Sequence, residues 1–343
     1  MEAAPPETQP IDDGTTSSDG VGPVLTAIAQ AVSRVAALVA APPPQDGSGV
    51  LAANASGDTQ TPLDVVAHDV FVEVLAAAPV QSVMSEEADA PILLDRTAPY
   101  AVAVDPLDGS SNVDVDAPIG AIFSVLPGVD LARSSPDDAF LVDGTQILAA
   151  GFALFGPRTV LVVATEDGVR ASTLDPTTRE FVRSDTLLRV PEQASEYAIN
   201  ASNHRHWQPS VRKYVDDLMA GESGPRGVNF NMRWIAALVA EAYRILIRGG
   251  IFLYPADSRP GYEHGRLRLL YEAQPIAYVM ERAGGEATDG RDRILDRRVT
   301  DLHERCPLVF GSAAKVARVR EYDIAAFAGE RDALFGRRGL FRS

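Results

Sequence analysis

Apolar side chains near the start of the chain recur at helical spacing. Leu25, Ile28, Val32, Val35 and Val39 mark one face of a helix from Val24 to Ala40, and the stretch Ala41 to Pro44 ends it. Gln45 to Gln60 reads as a loop. Thr61 and Pro62 open a second helix through Leu75, with Val66, Val70, Phe71 and Val74 on one face and Asp64 in its first turn. The pattern then changes to short apolar runs between turn residues: Tyr100 to Val104, Ile119 to Leu126, Ile147 to Phe155 and Thr159 to Ala164 predict buried strands. Beyond Asp175-Pro176 helix and strand patterns alternate. Pro209 to Met219 predicts a helix, Trp234 to Ile247 a longer one closed by Gly249-Gly250, and Ile251 to Tyr254 a strand. Leu267 to Leu270 reads as a short strand and Pro275 to Ala283 as a helix ending at Gly284-Gly285. A last strand, Leu308 to Phe310, leads through Gly311-Ser312 into a C-terminal helix. No internal repeat is visible, and the order of elements predicts a layered α/β protein with a boundary near residues 180 to 200.

Composition narrows this reading. With 343 residues and 46% hydrophobic content, the chain is long enough for two domains. The expected division is an acidic, disordered tail over residues 1–20, one domain over 21–190 and a second over 191–343. The Ala-rich run from Val24 to Pro42 is broken by Gln30, Ser33 and Arg34, so it falls short of a membrane span. The start of the chain lacks the basic and then apolar pattern of a secretory signal, which points to a soluble, cytoplasmic protein. A single cysteine, Cys306, excludes an intramolecular disulfide and a cysteine-based zinc cluster. Any metal is therefore expected on oxygen ligands. The formal charge of −16 is unevenly spread: residues 1–150 carry 22 Asp and Glu against 3 Lys and Arg (−19), and residues 151–343 carry 25 against 28 (+3). Such an anionic first half repels nucleic acid and phosphate unless cations neutralise it, whereas the arginines of the second half can hold anions directly.

The sharpest chemical feature is Asp105-Pro106-Leu107-Asp108-Gly109-Ser110-Ser111-Asn112, which follows directly on an apolar strand. Two carboxylates three apart, on a turn stiffened by Pro106 and opened by Gly109, can converge with the Leu107 carbonyl on a divalent cation such as magnesium, which prefers hard oxygen ligands. Gly109, Ser110 and Ser111 then offer N–H and hydroxyl groups as a phosphate cradle. Ser85-Glu86-Glu87 follows the apolar stretch Val80 to Met84, and Asp58 and Asp64 flank a helix start in a region almost free of cations. An unpaired cluster of this kind is either spread into solvent or binds metal. In the second half, Glu272 follows an apolar strand and is placed to complete a metal site, while Arg266 offers a permanently charged fork for a second phosphate.

In these motifs the chain resembles class I fructose-1,6-bisphosphatases from about Val24 onward. The resemblance rests on Gly57-Asp58 with Leu63-Asp64, Ser85-Glu86-Glu87, the Asp105 to Asn112 run, Ile251 to Pro255, and Leu267-Arg268-Leu269-Leu270-Tyr271-Glu272, in that order. It implies an α-β-α-β-α layered sugar-phosphatase fold with two sheet-containing domains. It further implies two or more Mg2+ ions held by Asp58, Glu86, Glu87, Asp105, Leu107 through its carbonyl, Asp108 and Glu272. Asp64 and Glu87 match the carboxylates that help deprotonate the attacking water. Asp108, Gly109, Ser110 and Ser111 would hold the 1-phosphate, and Asn203, Arg233, Tyr254 and Arg266 the sugar and its 6-phosphate. Arg233 would reach across a subunit interface, since members of the family are homotetramers or homodimers. His206, Trp234 and Arg266 depart from the usual family residues on the sugar side, and Pro99 and Val21 depart from those of its AMP site, so AMP inhibition is expected to be weak or absent.

The implied reaction is in-line hydrolysis of the 1-phosphate of fructose 1,6-bisphosphate by a magnesium-activated water, without a phosphoenzyme, in gluconeogenesis or the Calvin cycle. The partner is thus a small sugar bisphosphate, with no role for nucleic acid or membrane. Sedoheptulose-1,7-bisphosphatase or dual-specificity activity is the rival within the enzyme class, since it uses the same metal residues. A non-catalytic regulator that binds sugar phosphates is the rival outside it.

Overall fold

The structure is a computed structural model, and it describes residues 20–41, 52–53 and 59–323. The expected N-terminal tail and Asp58 lie outside the described residues, apart from Gly20 at the tail's end. Helix α1 (Gly22–Val39) carries Val24, Ile28, Val32 and Val35 on its buried face, as its 3.6-residue spacing predicts. By length and composition α1 is apolar enough to cross a membrane, yet that face is buried against α2 (Pro62–Leu75) and a large sheet. In α2, Thr61 and Asp64 form a capping box, each side chain accepting from the other's backbone N–H. Val66, read from the sequence as part of the buried face, is exposed. Within the predicted loop of residues 45–60, β1 (Ala52–Ala53) pairs antiparallel with β2 (Thr59–Gln60).

The large sheet is built from β3 (Val80–Ser85), β4 (Ile92–Leu93), β5 (Tyr100–Asp108), β6 (Ile119–Pro127), β7 (Ala149–Phe155), β8 (Thr159–Thr165), β9 (Gly168–Leu174) and β10 (Phe181–Arg183). Its strand order is β10-β9-β8-β7-β6-β5-β3-β4, with β3 and β5 parallel and the other pairs antiparallel. Successive side chains point to opposite faces of a strand, and the core divides accordingly. Val102, Val104, Phe123 and Val125 pack with α1 and α2, while Ala101, Ala103, Ile122 and Phe152 pack on the other side. The strands read as nearly continuous apolar runs because both faces are covered.

That second face meets α4 (Leu238–Arg248) and α5 (Gln274–Arg282), which also pack on a second sheet. The second sheet contains β11 (Glu196–Ala198), β12 (Asn231–Met232), β13 (Ile251–Tyr254), β15 (Gly285–Thr288) and β17 (Leu308–Ser312), in the order β12-β11-β13-β17-β15. A small ladder joins β14 (Leu267–Arg268) to β16 (Arg305–Cys306). The outer face of the second sheet is closed by α3 (Pro209–Met219) and α6 (residues 313–323), through Tyr214, Leu218, Val316 and Val319. The layers run α-β-α-β-α, as the resemblance implies.

Two predicted elements change character. The helix expected from Trp234 begins only at Leu238, because Ala236 adopts φ 66°, outside the helical region. The strand expected over Leu267 to Leu270 stops at Arg268 and gives way to a single π-helical turn, Leu269–Ala273. Both changes occur where the two halves of the chain meet.

Gly151 of β7 stands opposite Phe123 of β6. A Cβ there would lie 2.1 Å from the Val162 carbonyl oxygen and 2.6 Å from the Phe123 ring, whereas one at Gly156 would meet nothing nearer than 4.0 Å. Gly151→Ala is therefore expected to destabilise the protein by about 1–3 kcal/mol, the usual penalty of overpacking. Gly156→Ala is expected to be near neutral in the same urea titration.

Candidate active site

β5 carries the first part of the site. Asp105 and Asp108 are three residues apart, and in a regular strand that odd spacing would send their side chains to opposite faces. The pairing with β6 shifts between them: Asp105 faces Ile122 and Asp108 faces Gly120, so three steps on β5 match two on β6. This bulge contains Pro106, which has no N–H to give to the ladder, and it turns both carboxylates to one side. Asp105 Oδ1 accepts the Leu107 N–H at 2.9 Å, and Asp108 Oδ2 accepts the Val239 N–H of α4 at 2.9 Å. Asp108 thereby serves the N-terminus of a helix that lies 131 residues further along the chain.

Glu272 arrives from the opposite direction on the π-helical turn. The Gln274 N–H bonds to the Leu269 carbonyl five residues back, and Pro275 has no N–H to offer the preceding turn. The wider turn places Glu272 inward, where its Oε2 accepts the Arg268 N–H at 2.5 Å. One carboxylate oxygen from each of Asp105, Asp108 and Glu272 lies within 4.8 Å of the others, and all three residues are buried. Glu86, just past β3, belongs to the same group: its charge acts on both Asp105 and Glu272. Arg268, only 3% exposed, enters beside it, with Nε 3.4 Å from Glu86 Oε1.

The electrostatics follow from this crowding. Burial, then repulsion from Glu86, Asp108 and Glu272, holds the Asp105 carboxyl well above the usual carboxylate range. Glu272 is raised for the same reasons, by burial and by the charges of Glu86 and Asp108. Burial pushes Asp108 up to about 6, opposed by its hydrogen bonds from Val239 and Leu238. Arg268 lies beside Glu86 and acts on Glu272, and this donor set of hard carboxylate oxygens fits a magnesium-like divalent cation.

The cradle begins at Gly109, whose φ of 79° is open to glycine without strain. A Cβ there would stand 2.9 Å from the Ala237 Cβ, so glycine also permits the loop to touch the start of α4. Ser110 and Ser111 open the 3-10 turn Ser110–Val115, and Asn112 Nδ2 donates to the Pro118 and Ile235 carbonyls.

Other residues singled out in the sequence are placed less closely. Asp64 is buried and raised by burial, but its carboxylate accepts the Thr61 N–H at 2.5 Å within its own capping box. Glu87 follows Glu86 on the turn after β3, its N–H donating to Ser85 Oγ at 3.3 Å, and His68 Nδ1 lies 2.8 Å from that same hydroxyl. Leu107 is buried between the two aspartates. Asn203 and Tyr254 line one cleft with Trp207, Leu253 and Asp257. Tyr254 is raised first by burial, and it feels both Arg266 and Glu272, which ties this cleft to the carboxylates. Arg266 is exposed and donates to the Tyr262 hydroxyl at 2.9 Å. Arg233 stands apart, on the exposed edge after β12, with Nε 3.9 Å from Glu196.

The sequence reading named Arg268 only as part of a motif, without a role, and passed over Asp257 and Arg259. Arg268 alternates with Arg266 in Arg-Leu-Arg-Leu, a pattern that marks both as sharing a strand face without showing that only one is buried. Arg259 grips Asp257 with Nη2 2.5 Å from Oδ2 and stacks 4.1 Å from the Tyr262 ring centroid.

Comparison with known proteins agrees with this geometry. The family described as the N-terminal domain of fructose-1,6-bisphosphatase matches residues 18–186, and its C-terminal counterpart matches 190–323. A protein of Sinorhizobium medicae named fructose-1,6-bisphosphatase class 1 is 53% identical over 291 residues, covering 84% of this chain and 83% of that protein. One of Paracoccus denitrificans with the same name is 49% identical over 321 residues, covering 94% and 95%. The solved structure of Leishmania major fructose-1,6-bisphosphatase in holo form superposes with a TM-score of 0.85 at 32% identity, over 93% of this chain and 99% of that one. From the bulged aspartates to the layer order, and across nearly the whole length, the chain belongs to the class 1 fructose-1,6-bisphosphatase family.

Proposed function

We propose that this protein hydrolyses the 1-phosphate of fructose 1,6-bisphosphate to fructose 6-phosphate and inorganic phosphate, with Mg2+ as cofactor. The observation that carries this reading is the convergence of Asp105, Asp108 and Glu272 within 4.8 Å, with Glu86 beside them. Glu86, Glu87, Asp105, Asp108, Glu272 and the Leu107 carbonyl would hold two or more ions, joined by Asp58. When bound, magnesium supplies the positive charge that neutralises phosphate oxygens and acidifies water. The rest falls to the chain. N–H and hydroxyl groups from Gly109 to Ser111 orient the 1-phosphate, and Asn203 and Tyr254 seat the sugar. Arg266 anchors the 6-phosphate from the open side of the cleft. Asp64 and Glu87 take up the proton of the attacking water. Ser110 and Ser111 act as phosphate donors rather than as nucleophiles.

The two halves share this work: residues 21–190 would supply most of the metal ligands and the 1-phosphate cradle, and 191–343 the sugar side together with Glu272. The exposed Arg233 suits a contact with a second copy of the chain in a homodimer or homotetramer, and a cytoplasmic location suits the substrate.

Asp108→Asn keeps the shape of the side chain and removes its charge. We expect kcat at saturating Mg2+ to fall about a hundredfold or more, the scale of lost charge stabilisation at a phosphoryl centre. Turnover near that of the unaltered protein would overturn the metal assignment. EDTA is expected to abolish phosphate release and excess Mg2+ to restore it; release that is indifferent to EDTA would count equally against it.

Protons and metal should compete for the cluster. Free carboxyls titrate near 4, whereas Asp108 titrates at about 6 in the fold and Asp105 and Glu272 are raised well above the usual range. Between those limits the folded chain holds more protons than the unfolded one. The contribution of these groups is thus fully present below about pH 4 and is lost as pH rises through the folded values. The rise in thermal midpoint on adding Mg2+ is therefore expected to be larger at about pH 8 than at about pH 5.5, because the ion needs deprotonated ligands. Equal rises at both would contradict this account.

A further inference from the structure

The segment Trp234 to Ala237, between β12 and α4, has no part in the machinery assigned above except through its neighbours. Ala236 holds φ at 66°, a left-handed conformation in which the Cβ of an L residue crowds its own backbone. The surrounding structure must hold it there. Glu241, in the first turn of α4, is 1% exposed and folds back over the start of its helix. Its Oε1 accepts the Ile235 N–H at 2.5 Å. Its other oxygen is buried without a partner among the described residues.

The backbone so pinned touches the site at three places. The Ile235 carbonyl accepts Asn112 Nδ2 at 3.3 Å. The Ala237 Cβ closes on Gly109. The Val239 N–H, two residues into α4, donates to Asp108 at 2.9 Å. A buried carboxyl that faces no cation at bonding distance among the described residues contributes little as an ion, and burial lifts its pKa to about 7. Its value lies in the acceptor it offers to a backbone that would otherwise relax into the helix.

We propose that Glu241 is a positioning residue, which holds Ala236 in its left-handed conformation and so seats the start of α4 against the loop from Gly109 to Asn112, fixing the orientation of the 1-phosphate. This deepens the phosphatase reading and rests on it. The sugar and the 6-phosphate bind through the separate cleft of Asn203, Tyr254 and Arg266, so loss of the seat should disturb the reacting phosphate more than substrate affinity.

The test compares E241L, E241Q and the double variant A236G/E241L with the unaltered protein, by phosphate release from fructose 1,6-bisphosphate at saturating Mg2+. Misplacing a reacting group by about an ångström can cost up to a hundredfold. E241L is expected to lower kcat by about tenfold or more with KM within about threefold. E241Q keeps an acceptor for Ile235 and should recover most of that loss. A236G/E241L should recover part of it, because glycine adopts the left-handed conformation without being held; an ordinary core role would give no such rescue. If E241L does not fold, folding of the double variant supports the proposal and its failure to fold overturns it. A folded E241L with kcat within threefold of the unaltered protein, or a loss that neither E241Q nor A236G relieves, also overturns it. An unaltered protein that releases no phosphate would instead sink the phosphatase reading itself.

Discussion

Asp105, Asp108, Glu272 and Glu86 crowd into a buried space, with the Arg268 guanidinium beside Glu86. Like charges at this spacing in a low-dielectric interior repel strongly, and each carboxyl responds by binding its proton more tightly. The fold must therefore hold these groups together against their own electrostatics. It does so with backbone: Asp105 accepts from Leu107, Asp108 from Val239 and Glu272 from Arg268. Each of those N–H groups stands at an irregularity, whether a strand bulge, a helix start or a π-helical turn.

The irregularities share a purpose. A regular β5 would separate Asp105 from Asp108, a regular helix from Trp234 would leave no extended segment against Gly109, and a strand through Leu270 would aim Glu272 differently. In each case a local preference has been overruled where the two sheets approach each other. Such departures cost free energy, and the long regular strands and helices around them supply it. Apolar clusters cover both faces of the large sheet, and the buried carboxylates of Asp105, Asp108 and Glu272 stand beside them. A stable protein can hold such a site because its charge is confined to a small volume, which a bound divalent cation would offset.

The middle layer does the joining. Helix α4 receives Asp108 at its N-terminus and carries Glu241 beneath it, while α5 follows directly from the turn that presents Glu272. Both helices pack on both sheets. The carboxylates and the cleft of Asn203 and Tyr254 are thus referred to one pair of helices, and Tyr254 feels the charges of both Arg266 and Glu272.

Much of this was legible in the chain itself. Helical spacing located α1, α2, α3 and α5, and uninterrupted apolar runs located β5, β6, β7, β8 and β13, because periodicity records which faces meet a core. The run from Asp105 to Asn112 and the acids at Glu86 and Glu272 marked the residues that the fold gathers into one carboxylate cluster, because acids directly after apolar strands are uncommon. Short strands such as β11, β12 and β15 left little trace, since two to four residues carry no period. Arg268 resembled Arg266 until burial separated them. The start of α4, the π-helical turn and the bulge at Pro106 were decided only in three dimensions. Each is set by a hydrogen bond or a close contact with residues distant along the chain, and a linear pattern records only what neighbouring residues prefer.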